Sequence, residues 1–590
     1  GGETGGETGG ETGGETGGET GGETGGETGG EAGGETPSTP ANAAKIGETA
    51  YKTIAQAIEA EESSSNTITL LRDVKENIKI NKSLTLDLGG YTLTGDGTDS
   101  VVTITGEDTI VTITSSALNK DETVKNGTIT GGVGSKDHIF CFGGGVFIIE
   151  ATVILKNLTV SENYADKVYD NTANYDRSGG GGIASVKANL TLDNVTVTDN
   201  YTKNHSDGGG VCALGGQLTI NNSKIENNAS DDNGGGIYTE NTVLKIDKVV
   251  IKNNRAPIAG GIYTVNDKDI INKGQNYQLG TKVVSIPNEG STISDTTIES
   301  NIASNIGGGL YIGGQNELTI RNSTISGNNG ASQGGAIVAY SARTIKLDNV
   351  SISENTAASG AGILALGTVT CKPDIRLLNG TAIDKNTATG YGGGIYANES
   401  NINIAANSAV YNNTAATAGD DLMFNASTFT LPKAKDMSGD RILSSDKAEI
   451  IGWYHDGWFK WNAAAKDGQG GYEQIDRWTA ETADEYTPVE KDSYAITLKA
   501  AHPLMYTLTY NVTGDAPENY TAPKNQTLKA NEKYTVAAVP ESVTGTKDGV
   551  NGTYSFSGWK TADGTTLTGE RELTGDVTLY GVWTFTKKSS

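Results

Sequence analysis

Short alternating runs dominate the middle of the chain: Leu190-Thr191-Leu192, Leu218-Thr219-Ile220, Leu318-Thr319-Ile320 and Ile345-Lys346-Leu347. Period-two alternation predicts strands with aliphatic side chains on one face and Thr or Lys on the other. Two further phrases flank these runs. One is three glycines followed by an aliphatic residue, at 143–146, 180–183, 208–211, 234–237, 307–310 and 392–395, with shorter forms ending at Ile262, Ile337 and Ile363. The other is an aliphatic residue with Asn three places later. It ends at Asn163, Asn200, Asn228, Asn254, Asn301, Asn328, Asn355, Asn386 and Asn413. Successive units such as Asn301, Asn328 and Asn355 stand 27 residues apart. Each unit therefore predicts three short strands that cannot fold alone and must stack on the same strand of the next unit, about 4.8 Å away. The expectation is a right-handed parallel β-helix over 41–430, with about a dozen coils and a rod of roughly 60 Å at that spacing.

The corner residues have a physical use in such a stack. Asn tolerates left-handed backbone and bonds nearby main chain, and stacked coils set each amide above the last, which predicts a structural Asn ladder. The glycine triplets suit corners with positive φ. They recur without the Lys-Ser/Thr of a phosphate-binding loop, so nucleotide binding is excluded. With these phrases the region 145–413 resembles the repeats of chlamydial polymorphic outer-membrane proteins, whose Phe is here Ile or Val. The resemblance implies a pectate-lyase-like β-helix and an adhesin-type role. The membrane barrel of those proteins has no counterpart here.

The ends differ from the middle. Residues 1–40 are a GGET repeat with almost nothing apolar to bury, which predicts a disordered linker. At 48–61, Tyr51, Ile54, Ala55 and Ile58 share one helical face, which predicts a short capping helix before the first coil. Residues 431–504 form an aromatic-rich junction, and all six Trp lie beyond residue 450. From 505 to 590 alternation returns, with Phe556-Ser557-Gly558-Trp559 followed by Val577-Thr578-Leu579-Tyr580-Gly581-Val582-Trp583. These residues resemble Listeria–Bacteroides repeats (internalin B-repeats), and 510–517 is similar to SHIRT-type stalk repeats. The resemblance implies a small β-rich, β-grasp-like module of an exported Gram-positive protein. The fold class is thus all-β.

Charge changes the functional picture. A formal net charge of −26 excludes a nucleic-acid partner, which needs clustered Lys and Arg. The three cysteines, Cys141, Cys212 and Cys371, form no disulfide framework or metal motif, and the first two suit small buried apolar positions. No segment is apolar enough to span a membrane. The chain opens on a repeat without an initiator Met, and so reads as part of a longer surface-anchored chain. An extracellular place on a bacterial surface, or secretion, follows from the C-terminal resemblance.

Candidate chemistry is sparse. Asp193, Asp247 and Asp348 follow alternating strands at one phase, and the first two, about two coils apart, have the spacing of an inverting hydrolase pair. Asn221 and Arg321 fill the same slot elsewhere, which favours a solvated corner. Asp207, Asp231 and Asp232 precede glycine triplets and offer a site for structural calcium, the one cofactor considered; the alternative is an acidic turn. Contact residues for a ligand are Tyr164, Tyr169 and Tyr175 in one long insertion, Tyr277 in another, and Trp453 and Trp458 in the junction. Tyr near Asn and Asp suits protein or glycan contacts, while the tryptophans suit either a carbohydrate platform or a small core. The resulting expectation is a non-enzymatic adhesin or scaffold for a host or bacterial surface protein or glycan. A polysaccharide lyase or glycoside hydrolase and a passive stalk remain the alternatives.

Overall fold

The structure, a computed structural model, describes residues 41–62, 67–134, 142–166, 178–266, 289–314, 316–405, 407–431, 452–462, 471–477, 494–501, 505–529 and 532–588. The GGET segment lies outside them. Among the described residues there is one helix, Ile54–Ala60, and everything else regular is strand.

The alternating runs become strands that pair in parallel with the same run one coil on. The aliphatic residues of the nine glycine phrases stand in one continuous inward column of twelve, which begins with Ile78 and Val102 and ends with Ile395 and Leu422. Similar columns from the other strands fill a single core along the rod. Each fully buried Ile or Leu contributes about 1.5–3 kcal/mol, so the core rather than any local propensity holds these short strands. The chain is a parallel β-helix.

Its coil differs from the three strands expected. From Arg255 onward the residues after each ladder Asn form a fourth parallel sheet: Arg255–Ile258, Ile302–Ile306, Asn329–Gln333, Thr356–Ser359, Thr387–Tyr391 and Thr414–Ala415. It carries little apolar alternation and is built largely of Ala, Ser, Thr and Asn, so period-two reading misses it. Its Ala357, Ala388 and Ala415 pack with Ala361 in a small satellite core.

The N-terminal end also differs. The helix occupies only the second half of 48–61. Tyr51 belongs to Thr49–Tyr51, which pairs antiparallel with Ala44–Ile46, and that strand pairs antiparallel with Thr67–Leu70. Thr53 is the N-cap, its hydroxyl accepting from the Gln56 N–H at 3.1 Å. The Glu76 carboxylate takes the N–H groups of Ile54 and Ala55, both at 2.9 Å, so the helix start is satisfied by the first coil. At the far end, Tyr494–Ala501 pairs antiparallel with Leu422–Asn425 and with Gly452–Asn462. Beyond it, a five-stranded sheet orders as Gln526–Lys529, Met505–Gly514, Val577–Lys587, Val550–Phe556 and Val543–Lys547, with a parallel pair at Leu508 and Val577. Its core centres on the fully buried Trp559, with Leu508, Tyr510 and Leu579.

Candidate functional site

The corner that ends each coil is the most repeated local geometry. The residue before the Asn, not the Asn itself, takes positive φ: Glu162, Asp199, Asn227, Asn253, Ser300, Gly327, Glu354, Lys385 and Asn412 lie between 55° and 61°. That turn aims the next side chain inward, and all nine ladder asparagines are buried. Each Nδ2 from Asn163 to Asn386 donates to the Oδ1 of the next, at 3.0 Å from Asn163 to Asn200 and 2.8 Å from Asn386 to Asn413. The same Oδ1 also accepts the backbone N–H of the previous Asn, as Asn328 does from Asn301 at 3.0 Å. A second Nδ2 proton goes to the aliphatic carbonyl one coil back, as from Asn301 to Ile251 at 3.0 Å. With every polar atom engaged, these amides hold the fold and have nothing left for a ligand.

The glycines close the same corner. In 234–236, only the first has positive φ, at 67°. A Cβ on Gly235 would overlap the backbone of Arg255, the residue after the ladder Asn, and one on Gly236 would meet the Asn254 amide at 3.0 Å. So this triplet, expected to suit a corner with positive φ, uses it at its first position, and its other two positions are glycine for lack of room.

On the outside of this corner runs a groove of about 620 Å³ crossing five coils. One wall carries the residues before the Asn, among them Asn227, Asn253, Ser300 and Glu354. The opposite wall carries those after it, Arg255, Ile302, Asn329 and Thr356, which stand in direct register. The same wall continues through Ala229 to Tyr201 and Tyr164. Those two rings stack at 5.2 Å, and the Lys203 ammonium lies 5.0 and 5.3 Å from their centres. Tyr164 thus belongs to this wall. Tyr169, Tyr175 and Tyr277 lie outside the described residues. Trp453 and Trp458 are on Gly452–Asn462, opposite Ala500 and Ile475, beside the last coil and not beside Tyr164; their side chains lie outside the described ones. The groove carries no sequence signal, because its concavity comes from the backbone turn.

A second aromatic feature escaped the pattern reading. Tyr238, Tyr263, Tyr311 and Tyr340 stack at 5.1, 4.7 and 6.4 Å. Burial, with the neighbouring Tyr340, pushes the Tyr311 hydroxyl up to about 12. The recurrence of Tyr two places after the last glycine, at Tyr238, Tyr263 and Tyr311, was the available signal; Tyr340 stands outside it, two residues beyond Val338, which faces Tyr311. Cys212 is buried beside Tyr238 and Phe147, Cys371 is half-buried, and Cys141 lies outside the described residues.

The acidic candidates are engaged. Asp193 and Asp247 occupy one column with Asn221 between them. Burial works to raise the Asp193 carboxyl, but hydrogen bonds from Asn222 and Lys156, with the Lys156 charge 3.0 Å away, hold it below the ordinary range. Asp247 is lowered by the Ser294 hydroxyl at 2.7 Å, against partial burial, and by Lys248. Asp348 faces Arg321 and accepts from Asn379 at 2.6 Å. Asp231 accepts from the N–H groups of His205 and Ser206, both at 3.2 Å, and Asp207 from the Asn233 amide at 2.8 Å. Asp232 is half-buried on the same turn. Among the described residues no three His, Cys, Asp or Glu side chains are grouped to hold a metal, and no helix is long and apolar enough to cross a membrane.

Comparison with known proteins gives two family matches. Residues 280–431 match the right handed beta helix region, and residues 222–240 match the Chlamydia polymorphic membrane protein repeat. No curated protein matches the chain. Among solved structures, the A-module of mannuronan C-5 epimerase AlgE4 from Azotobacter vinelandii covers 64% of this chain and 92% of its own, at 12% identity and a TM-score of 0.23. The A-module of AlgE6 from the same organism covers 64% and 94%, at 14% identity and a TM-score of 0.25. At those scores the overlap bears on neither fold nor activity. The chain therefore carries a right-handed β-helix region and a polymorphic-membrane-protein-type repeat within one stack of coils.

Proposed function

We propose that this protein is a non-enzymatic adhesin or scaffold of a bacterial surface, whose rigid β-helix presents a binding face to a surface protein or glycan of a host or neighbouring cell. The observation that carries the reading is the repeat match at 222–240, set in a stack whose corners are invariant inside and variable outside. A solenoid of this kind separates tasks: the ladder residues hold the coils, and the flanking positions vary freely toward solvent. The C-terminal sheet, by its resemblance to internalin B-repeats or SHIRT repeats, serves as a spacer. A net charge of −26 fits a surface that resists nonspecific sticking and turns away nucleic acid.

Catalysis is the weaker reading. A general acid needs a carboxyl raised toward neutrality, and Asp193 and Asp247 are both lowered. The test is incubation of the full chain with a panel of glycans and matrix proteins, followed by mass spectrometry of everything retained and released. Intact ligand held on the protein is the expected result. Shortened or unsaturated sugars would make the rod an enzyme, and nothing held and nothing cut would leave a passive stalk.

A further inference from the structure

We infer that the groove beside the Asn ladder binds a neutral, linear oligosaccharide lying along the rod; this rests on the binding reading above and names its ligand class. Three observations lead there.

The first is unused hydrogen-bonding capacity. The side chains of Asn227, Asn253, Ser300, Asn329 and Thr356 make no hydrogen bond to other described protein groups, while the buried asparagines a residue away are fully engaged. Each free amide offers donors and an acceptor, and each hydroxyl offers both, which is the complement of sugar hydroxyls. The volume is within the range of small-ligand sites.

The second is periodicity. The five rungs repeat at about 4.8 Å, so the groove extends roughly 19 Å. A polymer that advances by a similar length per unit meets an equivalent wall at each rung. An extended peptide has the right reach but no means of adding to the sheet. The wall strands run across the groove, and their N–H and C=O groups are already paired from Arg255 through Ile302 and Asn329 to Thr356.

The third is charge and aromaticity. Among the described residues lining the groove Arg255 is the one cation, and Glu354 offsets it, on a chain of net charge −26. A polyanion is repelled, whereas a neutral chain is indifferent. The wall leads to the Tyr164–Tyr201 pair, whose apolar rings can pack against a sugar ring while their hydroxyls stay wet.

The experiment is calorimetric titration of the full chain with mannohexaose and cellohexaose as neutral probes and polygalacturonate as the acidic one. The expected result is binding of at least one hexaose, weakened at least tenfold in Asn329→Trp, which fills the groove. The paired deletion Asn253→Ala with Asn329→Ala should give a similar loss without added bulk. Thr414→Trp, in the same column beyond the groove, should bind as the parent does, with circular dichroism confirming that each variant is folded. No binding of either neutral hexaose, binding of polygalacturonate alone, or hexaose binding within twofold of the parent in both groove variants overturns the inference. Retention of the parent on cell surfaces, measured in parallel, separates the failures. Retention without hexaose binding sinks the groove and leaves the adhesin, whereas loss of both sinks both.

Discussion

In the middle of the rod a corner asparagine passes its hydrogen bond to an identical asparagine one coil on; at the last coil Asn413 meets Asp421 instead. Asn301 gives its amide to Asn328 at 3.0 Å, and a Cβ on Gly261 or Gly309 would crowd these two amides at 3.3 Å. At the last coil the triplet reads Gly419-Asp420-Asp421. The Asp421 carboxylate accepts both the backbone N–H and the Nδ2 of Asn413, at 3.0 and 2.8 Å, and its other oxygen takes the Ala500 N–H at 2.7 Å. A neutral ladder can propagate but cannot end itself, since its final donors need an acceptor with no coil behind it. The end is made from a buried carboxyl group and a crossing strand, and it obeys different physics from the repeat.

The largest effect should come from breaking the ladder in its interior. Asn301→Leu removes the acceptor for two buried donors, the N–H and the Nδ2 of Asn254, both at 3.0 Å from it. At roughly 1–3 kcal/mol for each orphaned donor, the loss should be about 2–6 kcal/mol, read by urea unfolding. Nearest-neighbour coupling between coils predicts that proteolysis then begins at this coil. A loss under about 0.5 kcal/mol would mean that the ladder is ornamental and the core alone holds the rod.

That ladder was legible because its chemistry repeats: an aliphatic residue points inward and an Asn follows three places later, nine times. What repeats only in shape was not legible. Positive φ belongs to the residue before the Asn, which is Glu, Asp, Asn, Ser, Gly or Lys, so no residue type marks it. Glycine needed for φ and glycine needed for space look alike in a sequence, although in 234–236 they have different causes. The fourth strand lacks alternation, and the groove is a property of the turn. Asp421 occurs once, and a single Asp in an acidic chain draws no notice.

The ladder's end should respond to pH where its interior does not. Asp421 is pushed up to about 7 by burial, with hydrogen bonds from Ala500 and Asn413 acting in the opposite direction and Asp420 adding to the rise. Asp420 bonds Lys499 at 3.0 Å, and Asp456 stands buried beside them. Because the folded value lies above the unfolded one, the folded state holds the proton more tightly. The stability from this group is complete in acid and falls as pH rises from about 4 to about 7. Unfolding free energies at pH 5, 6, 7 and 8 should therefore decline in the parent relative to Asp421→Asn, by a few kcal/mol across the range. Parallel profiles for the two chains would show that Asp421 does not titrate in that window.

Crowding at the interior corner sharpens the contrast further. Gly235→Ala forces a methyl group into the Arg255 backbone, whereas Ala361 holds the same middle position near the end of the rod. The substitution should cost about 1–3 kcal/mol, as overpacking does, while Ala361→Gly should cost less. Equal losses would mean that the coils are uniformly spaced at that corner and that the natural alanine reflects no local widening.

The smallest effect concerns the acidic turns halfway along the rod, which resemble the buried end in charge but not in setting. Asp231 is exposed and already accepts two backbone N–H groups from the neighbouring coil, and Asp207 is occupied by the Asn233 side chain. A calcium ion would need several oxygens converging at about 2.3–2.6 Å. To recruit these two it would have to displace hydrogen bonds that hold the turn in place. Chelation with EDTA followed by millimolar calcium should then move the thermal midpoint by no more than about 1 °C, on the order of 1 kcal/mol for a chain of this size. A rise of several degrees, abolished by Asp231→Asn together with Asp207→Asn, would show that these turns reorganise around an ion. The rod would then contain a second kind of charged corner, held by a cation where the last coil uses a crossing strand.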